Sequence, residues 1–548
     1  MLSAQSGHFL RSAPPRLNIR FIDHGEGLLD RGSRMHAVQK AESFSASARV
    51  SPEEAIAISS ASCLIRPRRV ESWAITAGWE ASQARRNARE LLPEARAVVA
   101  WTIGSLLIWV QCAPTSGIPA RLPQGAQRWS GWQPRGGVRW HDPHMTSEAA
   151  GPNILLIMTD QERYPVPYED AALAEFRRTQ LPARQRLIDE GVQFHRHYAG
   201  STACAPSRAT LFTGQYPSLH GVRSTDGPAK SADDPQMSWL DPNVVPTMGH
   251  WFAAAGYRAY YRGKWHVSHA NLAEPGSHEG LKASDAMGNV LAEMVELYQR
   301  TDRLEPFGFT GWIGREPHGA DRADAGTVRD NVYRDQIVDM FAQLAADDDE
   351  RPWLAVASFV NPHDITFAGP AWDLLQFPHP DETVPDIPEA PSQGDSFDGR
   401  PDVQRQWAQT WPRMAFPIPL DNDYRRLYMF LHKLVDAAIM QVLDALDASC
   451  HADDTIVIFT SDHGDLIGAH GGLQQKWYNA FDEAIHVPFI VRGPGIPHDP
   501  DGVHIPTSHV DVIPTLLGLA GNAGPELLEA VSAHHTEAHL LPGRDLSA

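Results

Sequence analysis

Asn153-Ile154-Leu155-Leu156-Ile157-Met158-Thr159-Asp160-Gln161 is the stretch on which the fold turns. Its apolar run does not alternate with polar residues, as a strand wetted on one face would, and it is too short for a buried helix. It predicts a strand buried on both faces, the kind found in parallel sheets covered by helices. Residues 354–359 (LAVASF) and 455–460 (TIVIFT) read the same way, and 487–491 (VPFIV) supplies a fourth candidate. Between them the period changes. From 424 to 446, Leu427, Phe430, Leu431, Leu434, Val435, Ala438, Val442 and Leu446 recur at three- and four-residue spacing, the stripe of an amphipathic helix. Strands alternating with helices predict an α/β fold with a largely parallel central sheet covered on both sides.

The chain has 548 residues, 42% of them hydrophobic, enough for a large core. Its net charge of −20 is unevenly spread: residues 1–144 carry 18 Lys and Arg against 11 Asp and Glu, and residues 145–548 carry 29 against 56. So acidic a body excludes nucleic acid and anionic membrane as expected partners. Four cysteines, Cys63, Cys112, Cys204 and Cys450, are too few and scattered for a disulfide framework. Residues 1–144 are Arg-rich and Pro-punctuated, without sustained periodicity, and are expected to be an unstructured or spurious extension upstream of a start at Met145. Residues 145–548 are then the catalytic domain. The expected location is the cytoplasm, with export or membrane anchoring as the alternative if the apolar segment 97–112 acts as a signal or anchor.

Working outward from the first strand, chemistry collects where strands end, which is where open α/β sheets bind ligands. Residues 153–159 are followed by Asp160-Gln161, residues 455–460 by Ser461-Asp462-His463-Gly464-Asp465, and residues 354–359 by Val360-Asn361-Pro362-His363-Asp364. One such cluster alone reads as a helix cap or turn; three in one sheet read as a site. Oxygen donors from Asp160, Gln161 and Asp462 with the imidazole of His463 suit a hard divalent cation, Ca²⁺, Mg²⁺ or Mn²⁺, over zinc.

Cys204-Ala205-Pro206-Ser207-Arg208 opens a short helical pattern, and Gly263-Lys264-Trp265-His266 follows a probable strand. With the three strand-end clusters these segments, in this order, resemble the type I sulfatases of the alkaline phosphatase superfamily. The resemblance runs from Asn153 to about Leu519. It implies the three-layer α/β/α alkaline phosphatase-like fold and hydrolysis of small-molecule sulfate esters. Cys204 would be converted to formylglycine by a formylglycine-generating enzyme, and the aldehyde hydrate would be the nucleophile. Asp160, Gln161, Asp462, His463 and the modified Cys204 would bind one divalent ion, calcium first, magnesium or manganese otherwise. Arg208, Lys264, His266, His363 and Lys476 would hold substrate and hydrate, with His363 protonating the leaving oxygen. Asp160-Gln161 and Asp462-His463 stand where many members carry Asp-Asp and Asp-Asn, a variant similar to choline-sulfatase and phosphonate monoester hydrolase members. Phosphonate monoester or phosphodiester hydrolysis is therefore the alternative activity, and a catalytically silent binding protein the alternative from another class. His486 replaces a usual Arg in the segment after Lys476. Residues 509–517 resemble the helix closing the large domain, and the short remainder suggests that much of the usual C-terminal subdomain is truncated.

Overall fold

The computed structural model describes residues 98–103, 106–111, 151–227, 230–317, 321–413, 418–522 and 524–547. Strands β1 (Val98–Ile103) and β2 (Leu106–Gln111) pair antiparallel, Val98 opposite Gln111, in a unit separate from residues 138–548. The apolar segment 97–112 is thus a β-hairpin over the residues described, and no described helix is long and apolar enough to cross a membrane. The other expectations for residues 1–144 lie outside the described residues.

In the second unit follow β3 (Asn153–Asp160), β4 (Val192–Phe194), β5 (His197–Tyr198), β6 (Arg258–Gly263), β7 (Trp353–Pro362), β8 (Thr455–Ser461), β9 (His486–Val487), β10 (Phe489–Arg492), β11 (Asp499–Val503) and β12 (Thr507–Ser508). Seven form one sheet in the order β11-β4-β10-β8-β3-β7-β6, and three form a small sheet β12-β5-β9. The centre of the large sheet, β8-β3-β7-β6, is parallel, with Ile154 beside both Leu354 and Ile456.

All eight residues of β3 are buried, and the sheet divides them between two cores. Ile154, Leu156 and Met158 meet Ala209, Leu211 and Phe212 of the helix Cys204–Thr213 and Ile513 and Leu516 of the helix Val512–Leu519. Leu155 and Ile157 meet Ile337 and Phe341 of the helix Gly326–Ala346 and Val435, Ile439 and Val442 of the helix Asn422–Asp447. Two apolar faces explain the lack of alternation, and each fully buried Leu or Ile contributes about 1.5–3 kcal/mol. The long helix starts at Asn422, five residues before the first residue of its apolar stripe, because the Asp421 carboxylate accepts from Tyr424 N at 2.9 Å as an N-cap.

The fourth predicted strand differs from its reading. Pro488, which lacks an N–H, splits residues 487–491 between β9 in the small sheet and β10 in the large one. β10 runs antiparallel to β8. Between β8 and β10 lie only the four-residue helices Ala469–Gly472 and Asp482–Ile485, too little for a crossover, so the chain returns directly. Between β7 and the helix Asn422–Asp447 lies the helix Asp402–Thr410. At the other end Arg544 N donates to Asp511 Oδ1 at 2.7 Å and Leu546 N to Thr515 Oγ1 at 3.1 Å, which docks the last stretch on the helix Val512–Leu519.

Candidate active site

The parallel strands deliver their following residues to one end of the sheet. Asp160 ends β3, Asp462 and His463 follow β8, His363 follows β7, and Lys264 and His266 follow β6. Gly263 makes the last placement possible. It has φ +97°, and a Cβ there would fall 1.8 Å from Ser358 O, so only glycine allows β6 to turn this close to β7.

Cys204 opens a ten-residue helix in which every residue is buried. Its side chain therefore sits at the positive end of a helix dipole, away from water. Cys204 Sγ lies 3.7 Å from Asp160 Oδ1 and 3.1 Å from His463 Nε2. His463 Nε2 in turn lies 3.6 Å from Asp160 Oδ1 and 3.6 Å from Asp462 Oδ1. The four residues offer ligand atoms all within 4.8 Å of one another, and all four are buried.

The other oxygens of both carboxylates are already taken. Arg208, one turn after Cys204, donates from Nε to Asp462 Oδ2 at 2.8 Å and from a terminal nitrogen to Asp160 Oδ2 at 3.1 Å. Its remaining donors reach Lys264 O at 2.8 Å and Ser358 Oγ at 3.0 Å. Lys264 Nζ stands 2.6 Å from Asp160 Oδ2. Arg208 thus orients the two carboxylates by their outer oxygens and leaves the inner ones turned to Cys204.

The electrostatics fit a bound cation. Burial alone would raise the pKa of Asp160, but Lys264, His363 and Arg208 hold it well below the usual carboxylate range, so it is ionised. Burial lowers the pKa of His463, and the ring is neutral. Its Nδ1 faces Gly464 O at 2.9 Å and must donate there, which leaves a lone pair on Nε2. That lone pair and two inner carboxylate oxygens converge on the Cys204 side chain, an arrangement that repels itself until a divalent ion sits among them.

Gln161 is positioned differently from the other expected ligands. Its backbone N donates to Asp462 Oδ1 at 3.1 Å, while its side-chain Nε2 donates to Gln475 Oε1 at 3.0 Å and, more closely, to Asp465. Its Oε1 accepts from Lys476 Nζ. The amide joins Lys476 to the floor of the site. Lys476 thereby comes to the site from far along the chain, buried beside Gln161.

The remaining histidines differ in state. His266 Nε2 contacts the Asp226 carboxylate and lies 3.2 Å from Thr225 Oγ1, and its backbone N donates to Glu316 Oε1 at 2.8 Å. Burial opposes the charge on His266, but Asp226 prevails and raises its pKa. His363 is partly exposed, and burial together with Lys264 keeps it well below the ordinary imidazole range, hence neutral without a bound anion. Asp226, Glu316, Ser358, Asp465 and Gln475 were not found by sequence reasoning. Asp465 belongs to a cluster already singled out, three residues past Asp462. Asp226, in the stretch Ser224-Thr225-Asp226-Gly227, carried no signal that separates it from an ordinary loop acid.

A family model described as Sulfatase matches residues 152–522. The chain is 29% identical over 383 residues to a protein named uncharacterized sulfatase YidJ of Escherichia coli K12, covering 69% of each chain. It is 28% identical over 384 residues to a choline-sulfatase of Rhizobium meliloti, covering 68% of each. A solved structure described as a 2-O GAG sulfatase aligns with a TM-score of 0.47 at 22% identity, covering 72% of this chain and 73% of that one.

Proposed function

This chain belongs to the sulfatase family and is a sulfuric ester hydrolase, and from that premise we propose that Cys204, oxidised to formylglycine, is its nucleophile and that one divalent ion is its cofactor. The observation that carries this reading is the convergence of Asp160 Oδ1, Asp462 Oδ1 and His463 Nε2 on the Cys204 side chain. Asp160, Asp462, His463 and the modified residue 204 would hold the ion, a mostly oxygen donor set that suits calcium, magnesium or manganese. When bound, the ion would supply positive charge that favours ionisation of the residue 204 side chain and stabilises negative charge developing on the ester. Formylglycine supplies a hydrated aldehyde, whose second hydroxyl lets sulfate depart without a further attack on sulfur.

The chain's own residues do the rest. Arg208 fixes the two carboxylates, so the donors are oriented before substrate arrives. Lys264 and Lys476 present ammonium groups, one on Asp160 and one on Gln161, and receive the sulfate oxygens. His266, kept protonated by Asp226, donates a hydrogen bond at the residue 204 side chain. His363 borders the alcohol side. Burial and the Lys264 field keep the free imidazole neutral; the negative charge of the ester offsets the second, so that His363 can carry a proton to the departing oxygen.

Mass spectrometry of the tryptic peptide spanning residues 197–208, from protein made with a formylglycine-generating enzyme, tests the nucleophile. An aldehyde at position 204 with turnover of 4-nitrophenyl sulfate is the expected result. An unmodified thiol in protein that turns over sulfate esters sinks the formylglycine assignment. Faster turnover of an aryl phosphonate monoester than of the sulfate would move the activity to phosphorus.

A further inference from the structure

We propose that Asp330 and Asp364 form a clamp that positions His363 for proton transfer to the leaving alcohol, and that esters of poor leaving groups depend on it; the inference rests on the role given to His363 above. The other cationic and imidazole side chains of the site, Arg208, Lys264, His266, His463 and Lys476, are each fixed by hydrogen bonds or ion pairs. Burial and the charges of Lys264, Asp160, Lys476 and His463 act on the His363 ring, but among the described residues no hydrogen bond or ion pair holds it. Its direction is therefore set by its main chain.

That main chain leaves the regular sheet just before His363. β7 keeps step with β3 as far as Ser358 opposite Met158, then gains two residues before Pro362 meets Asp160. Its last pair with β6 is Ser358 with Gly263. Such irregularities re-aim side chains beside active sites. Asp330, from the helix Gly326–Ala346, takes up the main-chain donors there: Oδ1 accepts from Val360 N at 2.7 Å and Oδ2 from Asn361 N at 3.0 Å. Asp364 returns the contact. Its Oδ1 accepts from Gly326 N at 2.9 Å, and its Oδ2 from Thr327 N at 2.7 Å and Thr327 Oγ1 at 2.8 Å. Asp364 N closes the loop on Asn361 Oδ1 at 3.3 Å. A Cβ on Gly326 would fall 2.9 Å from Asn361 N, so the start of the helix lies directly against the end of the strand. His363 is thus held on both sides, through buried Asn361 before it and buried Asp364 after it.

Helix capping accounts for Asp364 and not for Asp330, whose carboxyl serves the strand instead of its own helix. Burial, with Asp364 adding to it, pushes the Asp330 pKa up to about 8 against the pull of the two N–H donors. Acids kept at such expense gather at functional sites. The consequence falls on the leaving group. As the S–O bond to the alcohol breaks, its electron pair stays on the alcohol oxygen, which takes the proton from the His363 imidazolium and departs as the neutral alcohol. An alkoxide is too basic to leave without that proton, whereas 4-nitrophenolate leaves unaided.

The test follows the whole, formylglycine-bearing protein on 4-nitrophenyl, phenyl and ethyl sulfate. Asp330→Asn replaces one acceptor by an NH₂ group facing a main-chain N–H. It should lower kcat for ethyl sulfate by about 10²-fold and for 4-nitrophenyl sulfate by no more than about threefold. Thr327→Val removes a single bond to Asp364 and should cost ethyl sulfate about threefold, which keeps the clamp readable if Asp330→Asn folds poorly. Combined with His363→Gln, Asp330→Asn should cost no more on ethyl sulfate than His363→Gln alone. Equal losses across the three esters, or additive losses in the double variant, overturn the clamp. A second reading needs no turnover: the rate at which diethyl pyrocarbonate modifies His363, followed by mass spectrometry of its peptide, should rise severalfold in Asp330→Asn. If the wild type hydrolyses no sulfate ester, the sulfatase reading fails, and an unchanged modification rate still overturns the clamp by itself.

Discussion

Asp160 and Glu162 leave the same strand end two residues apart, and both are buried, ionised carboxylates, yet their surroundings are opposites. Glu162 Oε1 accepts from Arg184 Nε at 2.8 Å, and its Oε2 from the same guanidinium and from Thr159 Oγ1 at 3.0 Å. Arg184 also reaches Asp436 Oδ1 at 2.6 Å, and Asp436 Oδ2 accepts from Ala183 N at 2.9 Å. Each carboxylate oxygen there is engaged, and the network ties β3 to the helices Pro182–Glu190 and Asn422–Asp447. Around Asp160 the cations Arg208 and Lys264 sit on the outer oxygens alone, while Asp160 Oδ1 and Asp462 Oδ1, the latter accepting only from the backbone N of Gln161 and His463, face His463 Nε2 and Cys204 with no cation between them. The comparison teaches that burial of charge does not mark a site. Unspent, converging lone pairs do.

Cys204→Ala should give the largest effect. Turnover of 4-nitrophenyl sulfate is expected to drop by at least about 10⁴-fold, since a nucleophile is removed outright. The melting temperature should stay close to the parent's. A large loss of stability instead would mean that the open cluster is structural after all.

Arg184→Met probes the closed network in the opposite sense. It leaves the buried carboxylates of Glu162 and Asp436 without the Arg184 countercharge and should cost about 3–5 kcal/mol in urea unfolding. The folded fraction should keep kcat within a few-fold. Loss of kcat comparable to that of Cys204→Ala would erase the distinction between the two clusters.

Acid should open the closed network next. Burial alone would raise the pKa of Glu162, but Arg184 prevails and lowers it to about 2 from an unfolded value near 4.5. A depressed carboxylate contributes stability that is complete above the unfolded pKa and lost as pH falls through the folded one. Stability should decline between about pH 4.5 and 2, by something on the order of 3 kcal/mol from this group alone. Glu162→Gln should flatten that part of the profile, measured by chemical denaturation at each pH. An unchanged slope would show that other carboxylates set the acid limit.

The smallest effect concerns the open cluster before any modification. Calcium at about a hundredfold excess over its Kd should stabilise the metal-free protein by about 2.7 kcal/mol in a thermal melt. Asp462→Asn, which weakens one inner donor, should reduce the shift, while Glu162→Gln should keep it. Equal shifts in both variants would place the ion elsewhere.

Much of this was legible from the chain. The unbroken apolar runs of β3, β7 and β8 reveal a sheet covered on both faces, and the polar residues just after them reveal the end where chemistry gathers. Cys204 and Arg208, four apart, announce a shared helical face. Other features were not legible for identifiable reasons. The antiparallel course of β10 depends on the absence of a crossover helix, and a short apolar run looks alike in either direction. Gln161 has a donor and an acceptor, and its sequence position does not say whether its amide turns to an ion or, as here, to Asp465, Gln475 and Lys476. Asp226 and Glu316 come from separate loops and meet His266 only after folding.

The sequence by itself determined the parallel centre of the sheet, the end at which the site forms and most of the residues that form it, because strand period, helix period and residue chemistry are local properties of the chain. Only the tertiary structure decided which oxygen of each carboxylate Arg208 occupies, that Lys476 answers to Gln161, and that Asp330 meets the end of β7. Those facts depend on distances between segments tens to hundreds of residues apart. Such distances are set by how the two cores pack against the sheet, and no local pattern encodes them.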